Sequence, residues 1–216
     1  MMTTNLPKPL PNPAALQPPV VFIVDDDEAV RDSLGWLLDG NGFSVRTFDS
    51  AESFLAAERP AAGSCLVLDV RMPGMSGPEL QDEMFRRGID LPIVFITGHG
   101  DVPMAVASMK KGAIDFLEKP FSDEQLCTAV RGAIEHGRHA QAEAAADRRS
   151  GELLARLTLR ERQVLDRIVA GRLNKQIADD LSISIKTVEA HRANIMDKLQ
   201  ARSMADLMKV ALRAGA

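Results

Sequence analysis

Cys65-Leu66-Val67-Leu68-Asp69-Val70-Arg71-Met72-Pro73-Gly74 is the stretch that decides the fold. Four apolar residues run without alternation into a carboxylate, and Arg71 to Gly74 then form a turn. An apolar run of this length with no polar face reads as a strand buried on both sides, the environment of a parallel sheet. Three further runs share the pattern: 20–24 before Asp25 and Asp26, 93–96 before Thr97, and 113–117 just before Lys119. Segments of helical period lie between them at 27–38, 51–57, 77–86, 102–111 and 122–136, and 43–48 alternates as an edge strand does. Strand then helix, repeated five times, predicts an α/β fold: a doubly wound, five-stranded parallel sheet with helices on both faces. The carboxyl ends of its strands share one edge, where ligands of open α/β sheets bind. Three carboxylates, a hydroxyl and an ammonium are expected to converge there.

A length of 216 residues fits two modest domains, and 45% apolar content supplies their cores. No stretch has the apolar length of a membrane span, and the N-terminus lacks a signal-peptide layout, so a cytoplasmic protein is expected. Cys65 and Cys127 show no metal or redox spacing and read as small buried residues. The net charge of −4 hides an asymmetry. Residues 1–150 carry 14 basic and 22 acidic side chains, whereas 151–216 carry 12 and 8. An acidic part joined to a basic part suggests two tasks, the second on nucleic acid.

Residues 1–19 hold six of the 12 prolines and no apolar period, and read as a disordered tail. Residues 20–136 form the α/β domain. The stretch 137–154, rich in Ala, Glu, Arg and Gln, reads as a partly helical linker. Residues 155–216 read as a small all-helical domain. Thr158 and Glu161 make a capping box, Gly171 closes that helix, Asn174 caps a short one to Leu181, Ser182 or Ser184 caps a third reaching Leu199, and Ser203 opens a fourth. Helices of this size on short turns match a helix-turn-helix unit.

Asp25, Asp26 and Asp69 at one sheet edge repel one another unless a cation joins them. Oxygen ligands without His or Cys suit Mg²⁺. Lys119 adds a fixed positive charge and Thr97 a hydroxyl, which together describe a site for a phosphoryl group on Asp69 as nucleophile. Singly, each aspartate is better explained as a solvated turn or helix cap, and only the ensemble argues otherwise. A phosphatase of the haloacid-dehalogenase type needs a second aspartate two residues beyond its nucleophile, where this chain has Arg71. No P-loop motif is present, and the chain is not expected to be an enzyme.

Asp25-Asp26, Leu68 to Gly74, Ile96-Thr97-Gly98 and Glu118-Lys119-Pro120-Phe121 resemble the receiver domain of bacterial two-component response regulators, whose fold is flavodoxin-like. The resemblance implies that Asp69 accepts a phosphoryl group from a sensor histidine kinase. It also implies that Asp26, Asp69 and the Arg71 carbonyl hold Mg²⁺ with help from Asp25, and that Thr97 and Lys119 bind the phosphoryl oxygens. Lys119-Pro120 is then a cis bond and Phe116 the aromatic switch. Arg71 and His99, two residues beyond Asp69 and Thr97, overlook the site and are expected to tune phosphoryl lifetime.

On a helical wheel for 185–199, Val188, Ile195 and Leu199 share one apolar face. Lys186, Ala190, Ala193 and Asp197, flanked by Thr187, Glu189 and Asn194, are free to enter a major groove, while Arg192 falls nearer the packed side. Leu157-Thr158, 161–165, Gly171, 174–178, Leu181 and 186–191 resemble a LuxR-type helix-turn-helix. Receiver plus this output is the NarL/FixJ architecture, and 97–104 leans to its FixJ-like side. Some relatives carry basic residues at Glu189 and Ala193, although Glu can accept from cytosine N4 and Ala can touch a thymine methyl. Lys175, His191 and Lys198 are expected phosphate contacts. The expected function is a phosphorylation-activated transcription regulator that dimerises on phosphorylation, binds double-stranded DNA and contacts RNA polymerase. The alternative is a receiver acting as a protein-interaction or phosphate-sink module, and duplex binding separates the two.

Overall fold

A computed structural model describes residues 19–57, 63–98 and 102–213. The expected tail lies outside these residues except for Pro19, and so does His99. Five strands form one parallel sheet: β1 (Val20–Val24), β2 (Ser44–Phe48), β3 (Cys65–Asp69), β4 (Ile93–Thr97) and β5 (Asp115–Glu118), in the order β2-β1-β3-β4-β5. The order reverses between β1 and β3, which places the topological switch point beside Asp69. Residues of the central strands alternate between two cores. Val21, Ile23, Cys65, Val67, Val94 and Ile96 pack with α1 (Glu28–Gly40) and the first turns of α5 (Asp123–Ala155). Phe22, Val24, Leu66, Leu68, Ile93 and Phe95 pack with α2 (Ala51–Ala56) and α3 (Gly77–Arg86), and Met104 of α4 (Val102–Lys110) lies against the same cluster. Both faces of the sheet are therefore covered, which is why its strands could lack a polar face. Cys65 and Cys127 are buried in the first core, and burial pushes the Cys65 thiol up to about 12.

Several boundaries differ from the sequence expectation, most by a residue or two, as where β2 begins at Ser44 rather than Phe43. Ala113 and Ile114 are not strand residues. Gly112 adopts φ +95° and the Ala113 amide donates to the Ser108 carbonyl, which closes α4, while the Ile114 amide donates to the Ile93 carbonyl just before β5 begins. The partly helical linker expected at 137–154 is helical throughout, because α5 runs unbroken through it to Ala155. The Ala, Glu, Arg and Gln content favours helix and nothing in the stretch breaks it. Gly137 survives in the helix because a side chain there would press on Pro92, its Cβ position lying 3.0 Å from the ring.

The chain divides into two compact units, 1–141 and 142–216. In the second, Leu153 and Leu154 of α5 join a core with α6 (Leu159–Val169), α7 (Asn174–Leu181), α8 (Ile185–Lys198) and α9 (Met204–Arg213). The capping box forms as read: the Glu161 amide donates to the Thr158 hydroxyl, and the Thr158 amide to the Glu161 carboxylate. Ser184, not Ser182, caps α8 by accepting from the Thr187 amide, while Ser182 ends α7 with φ +53°. Asn174 is the first helical residue rather than a cap. Leu173 holds the cap position, with its amide donating to the Gln176 side chain.

Candidate functional site

Strand pairing assembles the acidic edge. Val24 pairs with Leu68, so Asp25 and Asp69 emerge side by side, and Asp69 pairs with Ile96, so Thr97 follows one step beyond it. Asp25, Asp69 and Thr97 are buried, with 2%, 7% and 2% of their surface exposed, whereas Asp26 is exposed. Lys119 reaches in from the loop after β5 and donates to Asp25 Oδ2 and Asp69 Oδ1, both at 3.0 Å. Its own amide donates to the Thr97 carbonyl at 2.7 Å, and Lys119-Pro120 is cis. The remaining oxygens of the inner carboxylates accept backbone amides: Asp69 Oδ2 from Arg71 at 2.7 Å and Asp25 Oδ1 from Asp27 at 2.9 Å.

Burial pushes the Asp69 carboxyl above its ordinary value, and the Asp25 charge adds to this. The Lys119 ammonium and the Arg71 amide pull the other way without winning. Burial would lower Lys119, but the two carboxylates outweigh it and hold the ammonium above its usual range. One lysine therefore leaves the site short of positive charge.

The residues fit a hard divalent cation in donor type, since Asp26 and Asp69 offer carboxylate oxygens and Mg²⁺ keeps several waters. Among the described residues no three metal-ligating side chains share one coordination shell. Asp25 and Asp69 are drawn onto Lys119 instead.

Phe116 pairs with Phe95 across β4 and β5 and is half-buried, the rings 6.3 Å apart at their centroids. Two residues that motif reading passed over help to build the site. Gly77 opens α3 directly behind the acceptor: a Cβ there would lie 2.4 Å from the Asp69 carbonyl oxygen, so no larger residue fits. Arg31 folds back from α1 and donates to the carbonyls of Asp25 at 2.8 Å and Asp26 at 3.0 Å. The sequence signal for Arg31 was the first basic residue after four consecutive acids, Asp25 to Glu28.

In the second unit, α8 buries Val188, Ile195 and Leu199 against α6 and α7. Lys186, Thr187, Glu189, Ala190, Ala193 and Asn194 are exposed on it, and Lys175 is exposed on α7. Thr187 shares its hydroxyl with Ser184 in the cap, at 2.8 Å. His191 is half-buried, with Nδ1 buried and unpartnered among the described residues. Lys198 departs from its expected role as a phosphate contact. Its ammonium is bound to the buried Glu161 carboxylate at 2.6 Å, so it is not a free cation on the surface.

Residues 21–131 match the response regulator receiver domain, and 155–211 match the luxR family of bacterial regulatory proteins. The chain belongs to the response-regulator family. Relatives of this response regulator include the transcriptional regulatory protein FixJ of Azorhizobium caulinodans, 50% identical over 90% of this chain and 92% of the relative. FixJ of Rhizobium meliloti is 49% identical over 90% and 96%. Among solved structures, the response regulator StyR superposes with a TM-score of 0.80 at 46% identity, covering 91% of this chain and all of that one. Full-length FixJ from B. japonicum gives 0.55 at 44% identity, covering 91% and 97%. The response regulator is thus FixJ-like, with a flavodoxin-like receiver followed by a LuxR-type helical domain. No described helix is long and apolar enough to cross a membrane.

Proposed function

We infer that this response regulator is a phosphorylation-activated, DNA-binding transcription regulator whose phosphoryl acceptor is Asp69. One observation carries the reading: Asp69 ends the central strand at the switch point, buried between a lysine and a second carboxylate, with a charge deficit that a divalent cation would relieve. Asp69 Oδ attacks the phosphorus of the kinase phosphohistidine, and the imidazole departs. Asp26 and Asp69, with Asp25 and the Arg71 carbonyl beside them, would hold a divalent cation, which when bound would supply positive charge against the transferred group. Lys119 and Thr97 receive phosphoryl oxygens. The chain works in the cytoplasm as a switch and not as an enzyme acting on a separate substrate. Incubation of the full chain with acetyl phosphate and Mg²⁺ should add one phosphoryl group by mass, and Asp69→Asn should remove it. Equal labelling of the variant overturns the assignment.

Pairing of two phosphorylated receivers through α4 and β5 would bring two output units onto two half-sites. Supporting this, α4 exposes Val106 and Met109, and Phe116 of β5 is half-buried beside Phe95 of β4. Duplex binding through Lys175, Lys186, Thr187, Glu189, Ala190, His191, Ala193 and Asn194, with RNA polymerase contacted next to it, completes the proposed activity. Sedimentation with and without beryllofluoride tests the pairing, and a receiver monomeric in both states removes it.

A further inference from the structure

The acid side of the phosphoryl site has a holder of its own. Asp25, Asp26, Asp27 and Glu28 stand in sequence, and four like charges on one loop favour splaying it open. The Asp27 carboxylate is occupied as the N-cap of α1, accepting from Ala29 and Val30. The Asp25 side chain is fixed by Lys119 and the Asp27 amide. The exposed Asp26 carboxylate has no partner among the described residues, so its direction follows from the backbone alone. That backbone is gripped by Arg31, one nitrogen of which donates to the carbonyls of the peptides on both sides of Asp26.

We propose that Arg31 is a positioning residue that presents Asp26 to the divalent cation by clamping the carbonyls of Asp25 and Asp26. The inference rests on reading this edge as a Mg²⁺ and phosphoryl site. Arg31 touches neither the ion nor the phosphoryl group. It acts through the loop, as hydrogen-bond partners behind metal ligands generally do, and their loss costs roughly 10- to 100-fold in metal affinity. Its positive charge opposes the ion, which separates position from charge. Were charge the whole effect, removing Arg31 would tighten Mg²⁺ binding. A clamp predicts the reverse.

The test is calorimetric titration of the unphosphorylated full chain with Mg²⁺, together with amide exchange at Asp27 and Glu28. Arg31→Ala should weaken Mg²⁺ binding by about tenfold, the lower end of that range because the lost repulsion offsets part of the loss, and should speed exchange in the loop. Arg31→Lys keeps the charge but replaces the planar fork with a flexible stem, and should also bind more weakly than wild type. In labelling with acetyl phosphate, Arg31→Ala should need more Mg²⁺ for half its maximal rate and approach the wild-type rate at saturation. Unchanged or tighter Mg²⁺ binding in Arg31→Ala, or wild-type affinity in Arg31→Lys, overturns the proposal. Because the titration needs no phosphoryl transfer, it judges Arg31 even if wild type fails to label, an outcome that would instead overturn Asp69 as acceptor.

Discussion

Lys198, in the last turn of α8, donates at 2.6 Å to Oε2 of Glu161 in the first turn of α6, and the same oxygen accepts from the Thr158 amide and hydroxyl. Glu161 is only 3% exposed. The far end of the helix that carries the expected base-reading residues is thereby tied to the cap of the helix it packs on. Burial pushes Glu161 up, but Lys198 and the two Thr158 bonds overcome it and hold the carboxyl below its ordinary value.

Removing one partner of this pair leaves the other in poor surroundings. A fully buried pair loses about 3–5 kcal/mol in that way, but the lysine side chain is a third exposed, so Lys198→Met should cost nearer 1–3 kcal/mol. The sign with pH follows from the depressed carboxyl: its stabilisation is present above the unfolded value, near 4.3, and is lost as pH falls through the folded one. Urea unfolding of the full chain from pH 7 to pH 3 should therefore show a steeper acid loss in wild type than in Glu161→Gln. Parallel profiles would refute the assignment.

Asp69 has the opposite sign. Its carboxyl is raised by burial, so the folded chain binds more protons than the unfolded one between the ordinary aspartate value and the raised one. That contribution is present below the ordinary value and lost as pH rises through the raised one. Asp69→Asn keeps the shape without the charge, and should melt above wild type at pH 7 in metal-free buffer. The gap should narrow toward about pH 4. For a chain of this size each kcal/mol appears as roughly 2 to 4 °C. Lower melting of the variant at pH 7 contradicts the account.

Gly77→Ala should disturb the acceptor from behind. The added methyl would lie 2.4 Å from the Asp69 carbonyl oxygen, and backbone rather than a flexible side chain has to yield. Overpacking of this kind costs about 1–3 kcal/mol. Labelling of Asp69 should slow as well, because the strand end that aims the carboxylate must shift. A variant with wild-type unfolding midpoint and labelling rate would show that the close approach is relaxed in solution.

The fold and the inner site were legible in the sequence because both rest on long, repeated signals. Strands buried on two faces cannot hide their apolar runs, and the strand ends then place Asp25, Asp69 and Thr97 without further information. What motif reading misses at Gly77 and Arg31 has a common cause. Gly77 and Arg31 act through the backbone, on a carbonyl behind Asp69 and on two carbonyls beside Asp26, and backbone groups leave no residue-specific mark. The stretch 137–154 reads as a partly helical linker because of its alanines, and the helix fills all of it, since Ala-rich composition is enough to continue a helix that has already begun. Lys198 was read as a surface cation because its partner Glu161 lies 37 residues away and was already explained as a cap.

The two lysines of the second unit should part company on DNA. Lys175 is exposed on α7, and its ammonium has no partner among the described residues, so it can approach a phosphate and release a counterion. Lys198 is held by Glu161 and has little to release. Each phosphate contact contributes about 0.9 to the slope of log affinity against log salt on B-form DNA. Lys175→Ala should therefore flatten that slope by about 0.9 and weaken all sequences alike, while leaving the urea midpoint unchanged. Lys198→Ala should lower the midpoint and leave the slope near wild type at temperatures where the unit is folded. Changing Glu189 should instead alter preference at one base pair by about 1–3 kcal/mol, with no change in slope. Fluorescence anisotropy with a labelled duplex between 50 and 200 mM salt, at roughly the spacing where such slopes are resolved, separates the three behaviours. If Lys198→Ala flattens the slope as much as Lys175→Ala does, the ammonium leaves Glu161 for the DNA, and the tie between α8 and α6 is broken on binding.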